Sequence, residues 1–186
     1  KTYSSVTIGT QRWLTENLKV THYNNGDPIT NVTDDTQWSN FSTGAYCDYD
    51  NTPGNSATYG KIYNGYTVQD SRKICPAGWH VPNNAEWLTL TNYLGGTFTA
   101  GGKLKESGTA HWQSPNVGAT NESGFTALPG GSRIYEGIGT LGFWWSASES
   151  DAAKGCDIEL DYDYPTLFNF VDTKKAGFSV RCIKDN

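Results

Sequence analysis

The chain has 186 residues, 14 basic and 19 acidic, for a formal charge of −5, with neither a basic run nor an apolar stretch of membrane-spanning length. Polyanions and anionic bilayers are bound by clustered lysine and arginine, so no nucleic acid and no direct membrane insertion is expected. Gly 21, Tyr 11, Trp 7 and Met 0 describe a turn-rich, aromatic chain of the kind frequent in extracellular modules, long enough for one domain over residues 1–186. Its first residues lack the basic-then-apolar order of a signal peptide, which leaves either a cytoplasmic protein or one whose targeting segment has been removed.

Val6-Thr7-Ile8-Gly9 reads as a short strand and turn, with Gln11-Arg12-Trp13-Leu14 returning beside it, and Trp13, Leu14 and Leu18 as core. Residues 23–42 are polar and turn-like around Asn24-Asn25-Gly26-Asp27-Pro28, tied down by Trp38 and Phe41. Ala45-Tyr46-Cys47-Asp48-Tyr49 alternates like a strand. The acidic turn that follows offers Asp48, Asp50, Asn51 and Asn55 as hard oxygen donors. Its spacing is not that of an EF-hand, and Asx side chains satisfy turn amides by themselves, so no metal is expected. Residues 59–68 carry Tyr59, Tyr63 and Tyr66 at helical spacing, and a short helix or irregular aromatic segment packed under the main helix is expected.

The best helix of the molecule follows Cys75-Pro76-Ala77-Gly78-Trp79-His80-Val81-Pro82. Asn83 with Glu86 forms a capping-box pattern, Trp87, Leu88, Leu90, Thr91 and Leu94 give one apolar face, and Gly95-Gly96 stops it. Too short to stand alone in water, this helix must lie against a sheet. Residues 95–142 are a glycine-rich but folded excursion, with a helical turn or two over 100–106, a strand and rigid turn over 124–131, and loops expected to contribute to a binding surface.

The C-terminal third reads as an antiparallel meander of strands over 142–148, 155–163, 167–171 and 177–183. Alternation in the second places Cys156, Ile158, Leu160 and Tyr162 inward and Asp157, Glu159, Asp161 and Asp163 outward. An acidic face of that kind is hydrated, or neutralised by Arg133, Arg181, a cation or a partner. Four cysteines allow three complete pairings. Cys75 with Cys182 is the favoured pairing, and it would tie the turn before the helix to the last strand. Closing that loop is worth roughly 4 to 5 kcal/mol in the chain-entropy model. Cys47 and Cys156 are then a second bridge or two buried thiols. His22, His80 and His111 share no ligand spacing or evident carboxylate partner, and Ser132 has no nucleophile-elbow context, so no catalytic residue is assigned.

Several blocks in order carry a resemblance: Val6-Thr7-Ile8-Gly9-Thr10-Gln11-Arg12-Trp13-Leu14-Thr15-Glu16-Asn17-Leu18-Lys19, Tyr59-Gly60-Lys61-Ile62-Tyr63-Asn64, and the Cys75 to Pro82 block. Gly124-Phe125-Thr126-Ala127-Leu128-Pro129-Gly130-Gly131, Phe143-Trp144-Trp145-Ser146-Ala147-Ser148-Glu149 and Gly177-Phe178-Ser179-Val180-Arg181-Cys182 complete it. Together they resemble the Fibrobacter succinogenes major paralogous domain, a family of secreted or surface bacterial proteins. The resemblance implies an α+β, C-type-lectin-like fold: a small twisted antiparallel sheet, flanking helices and long loops. It also supports the Cys75–Cys182 pairing.

Similar C-terminal patterns occur in variable proteins whose late strands bind diverse ligands. The Glu-Pro-Asn and Trp-Asn-Asp motifs of calcium-dependent lectins are absent, so their sugar chemistry does not transfer. The function implied is a secreted or cell-surface recognition or adhesion module, lipoprotein attachment being one means of retention. It would bind a glycan or surface protein without a cofactor, through Asp157, Glu159, Asp161, Tyr164, Phe168, Asn169 and Trp145, although adjacent Trp144 and Trp145 point to opposite faces of their strand and at least one of them is core. The alternatives are a structural surface domain without its own ligand and, since the fold is shared with formylglycine-generating enzymes, an oxidase with Cys156 and Cys182 brought together.

Overall fold

The first two strands form where β-branched residues flank a glycine turn. In a computed structural model that describes residues 2–185, β1 (Ser5–Ile8) pairs antiparallel with β2 (Gln11–Leu14). Adjacent residues on a strand point to opposite faces, and Trp13 and Leu14 accordingly enter two different core clusters. The polar segment that follows carries β3 (Thr30–Asn31) and α1 (Asp35–Asn40), capped by Asp34 and anchored by Trp38, whose Nε1 donates to the Lys175 carbonyl at 2.7 Å. Next come β4 (Ala45–Cys47), a 3-10 turn over Tyr49–Asn51, and α2 (Pro53–Tyr59) with proline in its first turn. The tyrosine-rich stretch expected to be helical or irregular instead contains β5 (Ile62–Asn64) before the single-turn α3 (Gly65–Val68). Its strand residues Ile62 and Tyr63 are buried, so sheet packing overrode the helical spacing.

The main helix keeps its local signals. After β6 (Trp79–His80), α4 (Asn84–Tyr93) starts with both halves of the Asn83/Glu86 capping box made. Trp87, Leu90, Thr91 and Leu94 are buried, whereas Leu88, expected on the same face, is 57% exposed. The next helix, α5 (Thr97–Leu104), begins three residues earlier than the expected turn. It lies against loops so closely that a Cβ at Gly101 would stand 2.4 Å from the Thr166 carbonyl oxygen, and one at Gly102 2.3 Å from that of Gly118. Only glycine permits this approach.

The remaining strands are β7 (Gly130–Ser132), β8 (Glu136–Ile138), β9 (Leu141–Glu149), β10 (Lys154–Asp161), β11 (Leu167–Thr173), β12 (Gly177–Phe178) and β13 (Ile183–Lys184). They join three sheets, ordered β1-β2-β13-β6, β11-β10-β9-β7-β8 and β12-β5-β4-β3. The antiparallel meander holds for β9, β10 and β11. Two sheets are mixed, because β7 runs parallel to β9 and β3 to β4. The expected last strand is divided: β12 pairs with β5, β13 pairs with β2 and β6, and residues 179–182 cross between them.

Two cores lie on opposite sides of the β9–β11 sheet. One gathers Trp13, Trp87, Phe125, Trp144, Ile158 and Leu160 beneath the helices; the other gathers Tyr63, Phe143, Trp145, Phe178 and Val180. Cys75 and Cys182 are bonded, with 6.0 Å between their Cα atoms and a sequence separation of 107. Cys47 and Cys156 are buried free thiols, so no second bridge forms.

Candidate functional site

The β10–β11 register determines which predicted residues meet. Asp157 stands between Trp145 of β9 and Phe170 of β11, Glu159 between Phe143 and Phe168, and Asp161 opposite Leu141. Side chains two apart share a face, so Phe168 and Phe170 stand beside Asp157 and Glu159, while Asn169 points to the helix side opposite Ile158. Phe168 and Phe170 are stacked at 5.9 Å, and Tyr164 meets Phe168 edge-on at 6.0 Å. Tyr164 and Phe170 are 53% and 48% exposed. The result is an accessible aromatic strip beside the half-buried Glu159 and Asp161.

Two predicted members belong to the interior instead. Trp145 is 1% exposed, packs on Phe178 at 4.5 Å and donates its Nε1 hydrogen to the Tyr63 carbonyl at 2.8 Å. Both faces of the sheet are covered at this point, and Trp144 is equally buried on the other side. Asp157, expected outward, is also 1% exposed, and its Oδ1 has no hydrogen-bond partner. The cover comes from sequence-distant aromatics: Tyr135 stacks on Phe178 and tilts against Phe143, and its hydroxyl donates to Asp172 at 2.8 Å. Burial, reinforced by Asp172 and Glu159, pushes the Asp157 carboxyl up to about 7. Burial and then Asp161 and Asp172 raise Glu159 as well. The Tyr135 phenol is pushed to about 12 by burial and by its bond to Asp172.

The turn presenting Tyr164 is held from below by Lys105, a residue that no sequence motif singled out. Its ammonium donates to the carbonyls of Asp161 at 2.7 Å, Val117 at 3.0 Å and Tyr164 at 3.0 Å, and lies 5.3 Å from the centre of the Trp112 ring. Burial pushes it down to about 8 against the pull of Asp161 and Asp163. The arginines expected to neutralise the acidic face are elsewhere. Arg133 pairs with Asp35 at 2.6 Å, and Arg181 is buried among carbonyl groups.

The other candidate groups are engaged by protein partners. Asp48 accepts from Lys61 at 2.7 Å and from Ser56, while the Asn51 and Asn55 amides donate to the Thr33 and Tyr49 carbonyls. No group of three or more His, Cys, Asp or Glu residues able to hold a metal occurs among the described residues. His80 does have carboxylate partners, contrary to expectation: Asp185 at 2.6 Å and Glu86 at 2.8 Å. Burial opposes its charge, yet these two bonds raise its pKa. The paired Cys156 and Cys182 of the oxidase alternative are not available together, because Cys182 is bonded to Cys75. Burial pushes the Cys47 thiol up to about 11, which suppresses the reactive thiolate.

Mixed sheets, flanking helices, long loops and a long-range disulfide define an α+β domain. No helix among the described residues is long and apolar enough to cross a membrane. The chain belongs to the family described as the Fibrobacter succinogenes major domain, whose family model matches residues 6–184. No curated protein and no solved structure matches it.

Proposed function

We propose that the chain is a secreted or cell-surface recognition module of C-type-lectin-like type, binding a glycan or a surface protein at the outer end of β10 and β11. The supporting observation is the strip formed by exposed Tyr164 and Phe170 with half-buried Phe168 between them, beside Glu159 and Asp161. Aromatic faces cover apolar ligand surface, and neighbouring carboxylates select hydroxyl, amide or cationic groups at its edge. Trp145 and Asp157 support this surface from beneath rather than touching a ligand. The test is binding to glycan and surface-protein arrays by the native chain and by a Tyr164→Ala, Phe168→Ala double variant. The proposal expects specific binding that the double variant loses; specific binding unchanged in the double variant would sink the surface assignment.

A further inference from the structure

β11 is an outer strand of the five-stranded sheet, paired on one side with β10 and on the other with no strand among the described residues. The backbone of residues 168–171 makes no hydrogen bond outside that pairing among the described residues. Natural sheet edges are usually blunted by lysine, proline, a bulge or a covering element. Neither lysine nor proline stands in Phe168-Asn169-Phe170-Val171; α5 packs against the start of the strand, where the Gly102 amide donates to the Pro165 carbonyl, and beyond that contact Phe170 and Val171 are 48% and 50% exposed.

The two flanks of this edge differ in chemistry. On the helix side a cavity of about 310 Å³ opens between α4 and β11, with Trp87, Leu88, Ile158 and Leu167 as its apolar wall, Asn84, Thr91 and Thr97 at its polar margin, and residues 168–170 of β11 along its edge. Two residues lining it, Asn84 and Trp87, leave Oδ1 and Nε1 respectively without a partner among the described residues. The other flank carries Phe168 and Phe170 beside Glu159, with Asp172 further along the strand.

We infer that β11 receives an extended segment of a partner protein as an additional strand, and that residues of this segment alternate between apolar and basic. The inference rests on the recognition reading above and takes the ligand to be protein. Successive side chains of an added strand point to opposite faces, so every second one enters the apolar cavity and those between stand over the aromatic and acidic flank. Lysine or arginine there meets carboxylates and aromatic faces together. A second copy of this chain does not fit, because its β11 would bring Asp172 and no basic residue to an acidic face.

The probe is an array of acetylated, amidated octapeptides with apolar and basic residues alternating, set against block-ordered peptides of the same composition and against versions with glutamate replacing the basic residues. Alternating peptides should bind, the controls should not, and the amides within residues 168–171 that point away from β10 should gain hydrogen-exchange protection. Methylating every second peptide nitrogen in the register that faces β11 should weaken binding by about tenfold, the opposite register being tolerated. Leu88→Lys, at an exposed helix position, should weaken the same peptides without unfolding the chain. If alternating peptides bind no better than their controls while a glycan binds in a Tyr164- and Phe168-dependent way, strand addition is overturned and the recognition reading stands. Protection appearing elsewhere overturns the edge assignment. Failure of peptides, glycans and surface proteins alike overturns both.

Discussion

Arg181 and Lys105 are both buried cations that hydrogen-bond no carboxylate, yet they hold different parts of the molecule. Arg181 lies at the junction of the sheets. Its guanidinium donates to Asn17 Oδ1 at 2.8 and 3.0 Å, to the Leu14 carbonyl at 3.0 Å and to the Phe125 carbonyl at 2.6 Å, and it covers the Phe125 ring at 4.2 Å. Asn17 in turn receives Trp144 Nε1 at 2.8 Å and donates to the Tyr59 carbonyl, so one guanidinium organises four segments distant in sequence. Lys105 draws together only the loop backbones beneath Tyr164. A planar fork suits the fixed carbonyls of a core, while a compact ammonium suits three loop carbonyls converging on a point. The comparison separates what maintains the fold from what shapes the proposed site.

The largest effect is expected from Arg181→Met, which strands Asn17 and two core carbonyls. It should cost about 3 to 5 kcal/mol in chemical denaturation. A loss below about 1 kcal/mol would mean that those acceptors find other donors, and the contrast with Lys105 would fail. Reducing Cys75–Cys182, or replacing both with serine, loosens the same junction and should cost about 2 to 5 kcal/mol. Unchanged denaturation midpoints under reducing and oxidising conditions would refute that contribution.

Asp157 sharpens the comparison from the opposite sign: carbonyl acceptors surround the two cations, but this buried acid has no donor at its Oδ1 among the described residues. Its folded pKa is raised to about 7, so the folded chain holds more protons than the unfolded one between its ordinary value and that pH. This contribution to stability therefore falls as pH rises through the window. Asp157→Asn should remove the slope and leave the variant about 2 to 4 kcal/mol more stable, relative to native, at pH 8 than at pH 4. Parallel stability curves for the two proteins would reject the assignment.

Lys105→Met should cost less, about 1 to 3 kcal/mol, but should speed hydrogen exchange at residues 161–164 and weaken ligand binding, with Lys105→Arg failing to restore either. If its exchange pattern matched that of Arg181→Met, the division between core and loop cations would collapse.

Features determined by neighbours in sequence were legible without the structure. Asn83 and Glu86 declare a helix start because the capping box closes within four residues. The strands over 142–148, 155–163 and 167–171 were placed, the second by its alternation, while the distant Cys75–Cys182 pairing was favoured with the support of the family resemblance and is formed. Alternation reveals that a strand has two faces but not how many are covered. Asp157 and Trp145 were therefore expected at the surface, although Tyr135 and Phe178, brought by other segments, close over that side. Arg181 was offered as one neutraliser of the acidic face for the same reason, since its acceptors are mostly backbone carbonyls that no sequence pattern marks. Within the proposed site, Tyr164, Phe168, Glu159 and Asp161 do lie together; Asn169 faces the other way, and Phe170, Tyr135 and Lys105 were missed.

The covalent link between residues 75 and 182 also governs how the domain answers mechanical load. A pull applied to the chain on either side of the linked pair passes through the sulfur atoms and bypasses the segment between them, a separation of 107 residues. Stretched out, that segment would be about 360 Å long. It contains α4, α5 and every strand of the five-stranded sheet. Tension can peel β13 from β2 and β6 or extend the first 74 residues, but it cannot straighten β10 and β11 while the disulfide is intact. Under flow or traction, reduction would thus convert a strip shielded from force into one that yields with the rest of the chain.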